Sequence, residues 1–197
     1  MNLKGLKVFT LALVCALSIE SAQAGVLIEP MIGYQFGSAD EAVTGGSAEH
    51  SYSDAFFGAR LGYQQLGLMA GLDYRISSFV DERDYSGSKQ KNDVKESKFG
   101  FFVGYNLPIL LRAWVGYYFS VSQEDDDARG GNLGDERNGS GPGIGLGFTG
   151  LPFISINLEY HSFALDEYKN VSAGTTTNGS DYDVKEFLLS VSLPLDF

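Results

Sequence analysis

Cysteine is almost missing from this 197-residue chain: Cys15 is the only one, and it lies in an apolar run near the N-terminus. A single thiol can build neither a disulfide framework nor a cysteine-zinc site. Basic residues are scarce too, 14 lysines and arginines against 25 aspartates and glutamates, which argues against nucleic acid as a partner. Beyond the N-terminal run, no stretch approaches the roughly 18 apolar residues from which a spanning helix is read. Runs that favour helix are few. Against these absences stand 25 glycines, 11 tyrosines and 14 phenylalanines, a composition that points to β structure.

The first 24 residues read as an address. Lys4 and Lys7 precede an apolar run from Val8 to Ile19, followed by Ala22-Gln23-Ala24, as in a secretory signal peptide cleaved before Gly25. A lipid-anchoring cleavage at Cys15 would cut the hydrophobic segment short, so the expected mature chain is 25–197 and holds no thiol. Without Lys4, Lys7 and Glu20 the basic residues fall to 12 and the acidic to 24, a formal charge of −12.

Alternation with a period of two, the mark of a strand with two unlike faces, recurs eight times after residue 25. The apolar positions run Ile28 to Phe36, Ala55 to Tyr63, Leu66 to Ile76, Phe99 to Tyr105, Leu111 to Phe119, Ile144 to Phe148, Ile154 to Tyr160 and Phe187 to Phe197. Even-numbered connections are tight, at Gln64-Gln65, Asn106-Leu107-Pro108 and Gly150-Leu151-Pro152, whereas the odd ones, 38–53, 77–96, 122–142 and 164–183, are long and polar. Short turns at one end and long loops at the other are the pattern of an outer-membrane barrel.

The residues between the apolar ones decide which way the sheet faces. They are glycines and polar groups, among them Gly58, Arg60, Gly62, Asp73, Arg75, Lys98, Asn157, Glu159 and His161. Arg60 between Phe57 and Leu61 would cost about 2–4 kcal/mol against hydrocarbon near the midplane, so this set belongs in a narrow lumen. In lipid a sheet has to close, and eight strands make a barrel whose interior side chains can fill. Tyr34, Phe36, Phe57, Tyr74, Phe99, Tyr117, Phe119, Tyr160 and Phe187 then fall near the long-loop side, and Tyr63, Tyr105, Phe148 and Phe197 near the short-turn side, as two interfacial girdles. A soluble lipocalin-like barrel is the alternative fold, and it would turn these charges the wrong way.

Leu193, Leu195 and the terminal Phe197 resemble the C-terminal signal read by the barrel assembly machinery, and Ile156-Asn157-Leu158-Glu159-Tyr160 is similar to the penultimate strand of small outer-membrane barrels. With the eight runs, residues 25–197 resemble the porin-family barrels typified by the transmembrane domain of OmpA and by OmpX. The resemblance implies an all-β fold, an eight-stranded antiparallel up-and-down transmembrane barrel in the bacterial outer membrane. It further implies a monomer among outer-membrane lipids and lipopolysaccharide. No peptidoglycan-binding domain is expected after the eighth strand, and no cofactor.

Candidate lumen charges form a low group, Glu29, Arg60 and Arg112, and a higher one, Asp73, Arg75, Lys98, Glu159, His161 and Glu186. Such barrels tend to close their interior with ion pairs. The expectation is a plug, assisted by Phe102, Trp114 and Tyr118, with Glu29–Arg60 as the first pair to look for. The sharper alternative is a gated channel in which Arg60 or Arg112 exchanges partners. Catalysis finds little support: lipid A deacylases resemble this chain in size and use a histidine and serine two positions apart, whereas His50-Ser51 and His161-Ser162 are adjacent, and strand neighbours face opposite ways. Asp54 near His50 does not change that reading.

Asp125, Asp127, Gly130 and Glu136 match positions of a calcium loop, but Arg129 occupies a ligand position, so a solvated acidic loop is expected, sharing divalent cations at most with lipid phosphates. The Asn-x-Ser triplets at Asn138, Asn170 and Asn178 carry no meaning in a bacterial host. Function is then either interaction and envelope integrity, with specificity in acidic loops, or passage of small solutes.

Overall fold

The computed structural model describes residues 24–43, 46–85, 88–126, 133–179 and 182–197, so the segment read as a signal peptide lies outside the described residues apart from Ala24. Among the described residues ten strands follow one another: β1 (Gly25–Val43), β2 (Gly46–Gln65), β3 (Leu68–Tyr85), β4 (Ser88–Leu107), β5 (Leu111–Asp125), β6 (Glu136–Phe148), β7 (Ser155–Asn170), β8 (Thr175–Asn178), β9 (Tyr182–Ser192) and β10 (Leu195–Asp196). Each of β1 to β7 pairs antiparallel with the next, and β9 pairs with both β7 and β1. β10 continues that last stave along β1, while β8 only extends the β7 hairpin. The result is a closed eight-stave barrel without a free edge, the form a sheet needs in lipid.

The eight sequence runs fall on the eight staves, with their apolar residues outward. Ile32, Phe57, Leu72, Val115, Leu146, Leu158 and Leu189 are all exposed, while the intervening set is buried inside. The aromatic residues of the two girdles lie on this outer face, with Tyr74, Phe99 and Phe119 in edge contact along one side.

Two expectations need correction. Two of the three tight turns lie further along the chain than read. Gln64 and Gln65 belong to β2, and the turn is Leu66-Gly67, both with positive φ (52° and 82°). A two-residue hairpin whose twist suits the strands requires that geometry, and Gly67 supplies it without strain. The second turn is Pro108-Ile109-Leu110, with Leu110 at φ 59°, because β4 runs to Leu107, whereas the third, with Phe153 at φ 67°, encloses Gly150-Leu151-Pro152 as read.

The second correction concerns the long connections. Segments 38–43, 46–53, 77–85 and 88–96, read as loop, are strand: the β1–β2 ladder runs to Val43↔Gly46 and the β3–β4 ladder to Tyr85↔Ser88. Much of 122–142 and 164–183 is also strand, in β5, β6, β7 and β9. The barrel therefore continues well past the outer girdle. In this extension Ser38, Asp40, Ser51, Glu82 and Asp183 point outward, and Ala39, Tyr52, Phe79, Val94, Phe163, Leu165, Tyr182 and Val184 form an apolar cluster inside.

On β5 the change of face needs a bulge. Phe99 pairs with Ser120 but Gly100 with Tyr118, so Phe119 is an extra residue. Phe119 and Ser120 both face outward, after which Val121 turns in.

Candidate functional site

The lumen is built from alternate residues of every stave, in layers. At the base Leu27, Met69, Phe102 and Trp114 pack together. Glu29, fully buried on β1, is gripped from β5: Arg112 donates from Nη2 to Oε1 at 2.6 Å and from Nη1 to Oε2 at 3.0 Å, and Ser192 Oγ donates at 2.5 Å. Paired hydrogen bonds of this kind match the planar fork of arginine to a carboxylate.

One layer up, Arg60 donates from Nε to Asp73 (2.8 Å) and from Nη2 to Glu159 (2.9 Å). Arg75 binds the same two carboxylates, at 2.8 and 2.7 Å. Trp114 Nε1 donates to Glu159 at 3.3 Å, Tyr118 donates to Asp73 at 3.2 Å, and the Arg60 guanidinium stacks 4.3 Å from the Trp114 ring centroid. The room for Trp114 and His161 comes from β6, whose inward residues are glycines. A Cβ on Gly145 would lie 2.2 Å from Trp114, and one on Gly143 would lie 2.6 Å from His161.

Above this, Lys98 reaches Glu186 (2.5 Å) and Glu96 (2.8 Å). Tyr52 also donates to Glu186, and Gln35 and Gln123 donate to Glu96 at 3.2 and 2.9 Å. His161 stands 3.5 Å from both Glu159 and Glu186, linking the layers.

Every lumen residue named from the sequence, Glu29, Arg60, Asp73, Arg75, Lys98, Arg112, Glu159 and Glu186, is buried inside the barrel. The expected Glu29–Arg60 pair is present, in direct register at 3.9 Å, but it is not the tightest contact of either: Arg112 holds Glu29 from across the lumen, and Asp73 and Glu159 hold Arg60. Glu96 was missed, though it lies two before Lys98 and shares its strand parity.

Inside the mouth lies a second polar cluster that the sequence reading placed in loops. His50 is buried, not solvated: its Nδ1 lies 2.6 Å from Asp81 and its Nε2 3.3 Å from Glu41. Arg83 pairs with Glu41 at 2.8 Å, and Arg137 stacks 4.8 Å above the Tyr182 ring centroid. Hydrogen bonding to His50 is the main cause holding the Glu41 carboxyl below its usual range, against burial and with help from Arg137 and Arg83. Burial opposes charge on His50, but hydrogen bonds to Asp81 and Glu41 prevail and raise its pKa above 6.5.

Ser51 faces outward, away from His50, and Asp54 accepts from the Ala55 amide. His161 is buried in the lumen while Ser162 lies on the opposite face. Of the calcium-like pattern, residues 127, 129 and 130 lie outside the described residues, and Glu136 pairs with Lys169 at 3.2 Å.

On the outside of the extension Asp183, Asp40, Glu49 and Asp84 stand in direct cross-strand register over β9, β1, β2 and β3. At the opposite end Leu193, Leu195 and Phe197 are exposed on the outer face, and the Phe197 backbone bonds reciprocally with Val26 at 2.9 and 3.1 Å, completing the seam.

No protein-family model matches this chain, and no curated protein sequence does. Solved structures do match in shape. Neisserial surface protein A aligns with a TM-score of 0.55 at 15% identity, over 88% of this chain and 99% of its own. Ail, the attachment invasion locus protein of Yersinia pestis, in complex with a heparin analogue, gives 0.55 at 13%, over 87% and 99%. The outer membrane protein OprG of Pseudomonas aeruginosa gives 0.54 at 12%, over 91% and 100%.

Proposed function

We propose, from the premise that this chain has the fold of the small bacterial outer-membrane barrels, that it is a monomeric, non-enzymatic barrel with a closed lumen whose outer extension serves surface interaction or envelope integrity. The observation that carries this reading is the filling of the lumen. Glu29 with Arg112, then the Arg60–Asp73–Arg75–Glu159 group, then Lys98 with Glu96 and Glu186, and finally the Tyr52–Phe79 stack occupy successive levels. A paired buried charge loses several kcal/mol if its partner leaves, so such layers favour a plug over an open pore.

In this reading residues 1–24 direct export, and Leu193, Leu195 and Phe197 are the contact for the assembly machinery. The extension is a rigid, acidic platform rather than a set of loops. Its outward carboxylates suit a cationic partner surface, and they argue against carrying over the polyanion seen with Ail.

A narrow channel for small solutes is the second reading, supported by one feature. Arg60 Nη1, Arg112 Nε, Asn157 Oδ1 and Ser155 Oγ are buried without a hydrogen-bond partner, and groups of this kind take water. Single-channel recording in planar bilayers separates the two, with heat-dependent gel mobility as the check on folding. Folded protein without conductance is the expected result. Discrete conductance that changes with Arg60→Ala or Arg112→Ala would make the network a gate.

A further inference from the structure

Among the described residues, basic side chains are almost all spoken for. Arg60, Arg75, Lys98 and Arg112 are paired inside, and Arg83, Lys91, Lys95, Arg137 and Lys169 each have a carboxylate within ion-pair distance. Lys185 has none, in a chain where acids outnumber bases.

Its position is specific. Lys185 faces outward on β9, directly opposite Ser38 of β1 on one side and Ser162 of β7 on the other. One outward row below, Phe36, Phe187 and Tyr160 stand in the same cross-strand register, with the Tyr160 and Phe187 rings 4.9 Å apart. Phe36, Gly37, Ser38, Tyr160, Lys185 and Phe187 together line a groove of about 610 Å³ on the outside of the barrel. One row above, Asp40 faces Asp183, so the positive charge is confined to a single level.

We propose that this groove holds one phosphorylated lipid of the outer leaflet, its phosphate on the Lys185 ammonium and the Ser38 and Ser162 hydroxyls, and an acyl chain along Phe36, Phe187 and Tyr160. An ammonium with two flanking hydroxyls supplies charge-assisted and neutral donors to phosphate oxygens. The aromatic row sits where amphipathic rings mark the boundary of hydrocarbon and headgroups. The acidic row sets the upper limit of the headgroup by repulsion. This inference rests on the outer-membrane reading above.

The test titrates the detergent-solubilised protein, its folding verified by heat-dependent gel mobility, with lipid A and with the same glycolipid stripped of phosphate, counting bound molecules by native mass spectrometry. Wild type should retain one lipid A about tenfold or more tightly than the phosphate-free form, the scale of a charged hydrogen bond. Lys185→Ala should abolish that preference, Lys185→Arg should keep it, and Lys169→Ala, removing a lysine elsewhere, should leave it unchanged. Phe187→Ala should weaken retention of both glycolipids.

Equal retention of the two by wild type, or a preference that survives Lys185→Ala, would mean only non-specific lipid around the belt and overturn the site. Inorganic phosphate bound as tightly as lipid A, and indifferent to Phe187→Ala, would reassign it to a free anion. A protein without heat-dependent mobility, or one that fails to insert into lipid vesicles, would instead count against the outer-membrane reading, and the lipid site would fall with it.

Discussion

The lower and upper parts of the same staves obey opposite rules. Below the outer girdle Ile32, Leu72 and Leu189 face outward and Glu29, Asp73 and Glu159 face in; above it Asp40, Glu49 and Asp183 face outward and Ala39, Phe79 and Val184 face in. The ladder itself continues through the change, unbroken on β1–β2 from Gly25↔Gln64 to Val43↔Gly46. The polarity pattern therefore reports the surrounding medium, hydrocarbon below and water above, while the backbone pairing is the same. A charge inside the lower part is a structural necessity, and a charge outside the upper part is a surface.

The sharpest way to break this comparison is inside the lower part. Arg112→Ala leaves Glu29 buried beside Ser192 without its hydrogen-bonded cation, with only Arg60 at 3.9 Å, and should cost about 3 kcal/mol. The shift of the urea midpoint in lipid vesicles measures it, and Glu29→Gln in the same chain should recover much of the loss.

The next effect compares the two outer faces directly. Val115→Arg in the belt should cost about 2–4 kcal/mol, whereas Ser51→Arg on the extension should stay within about 0.5 kcal/mol. Equal costs would mean that the extension, too, lies in lipid.

The mouth titrates through His50 and Glu41. The pKa of His50 is raised above 6.5, so its stabilisation is complete below that value and is lost as pH climbs through the folded pKa. Glu41 works in the opposite direction: its pKa is lowered, so its contribution is present above 4.5 and lost as pH falls through the folded value. Protection factors for the β2 and β3 amides beside His50 and Asp81 should drop on the alkaline side while those of the lower barrel hold. His50→Gln should remove the alkaline drop.

The smallest effect belongs to the acidic row. Like charges in direct register destabilise, so Glu49→Lys, facing both Asp40 and Asp84, should gain about 0.2–1 kcal/mol per pair. Added salt should shrink that gain.

These halves also differ in how far the sequence disclosed them. The lower barrel was legible because apolar residues at every second position, with glycines and charges between, have few uses other than facing lipid on one side and a lumen on the other. Parity alone placed Glu29, Arg60, Asp73 and Glu159 inside. It could not give their partners, since Arg112 meets Glu29 across the closed barrel and not along a ladder. The extension was misread as loop because its outward Ser38, Asp40, Ser51 and Glu82 resemble loop composition, while its inward apolar residues sit on the opposite parity to the belt. Two turn positions escaped because Leu66 and Leu110 adopt a left-handed φ usually left to glycine or asparagine.

The seam has a consequence in time as well as in space. Met31 stands opposite Ser192 and Glu41 opposite Tyr182, contacts between the first strand and the last long one. Pairings so distant along the chain are entropically late, and they make folding slow. Until β9 is available β1 and β7 each keep an open row of amides and carbonyls, which in hydrocarbon cost several kcal/mol per unsatisfied group. Insertion and closure are therefore one event: no half-barrel is a resting place in the bilayer, and the chain must be kept from pairing with its neighbours until its final long strand arrives.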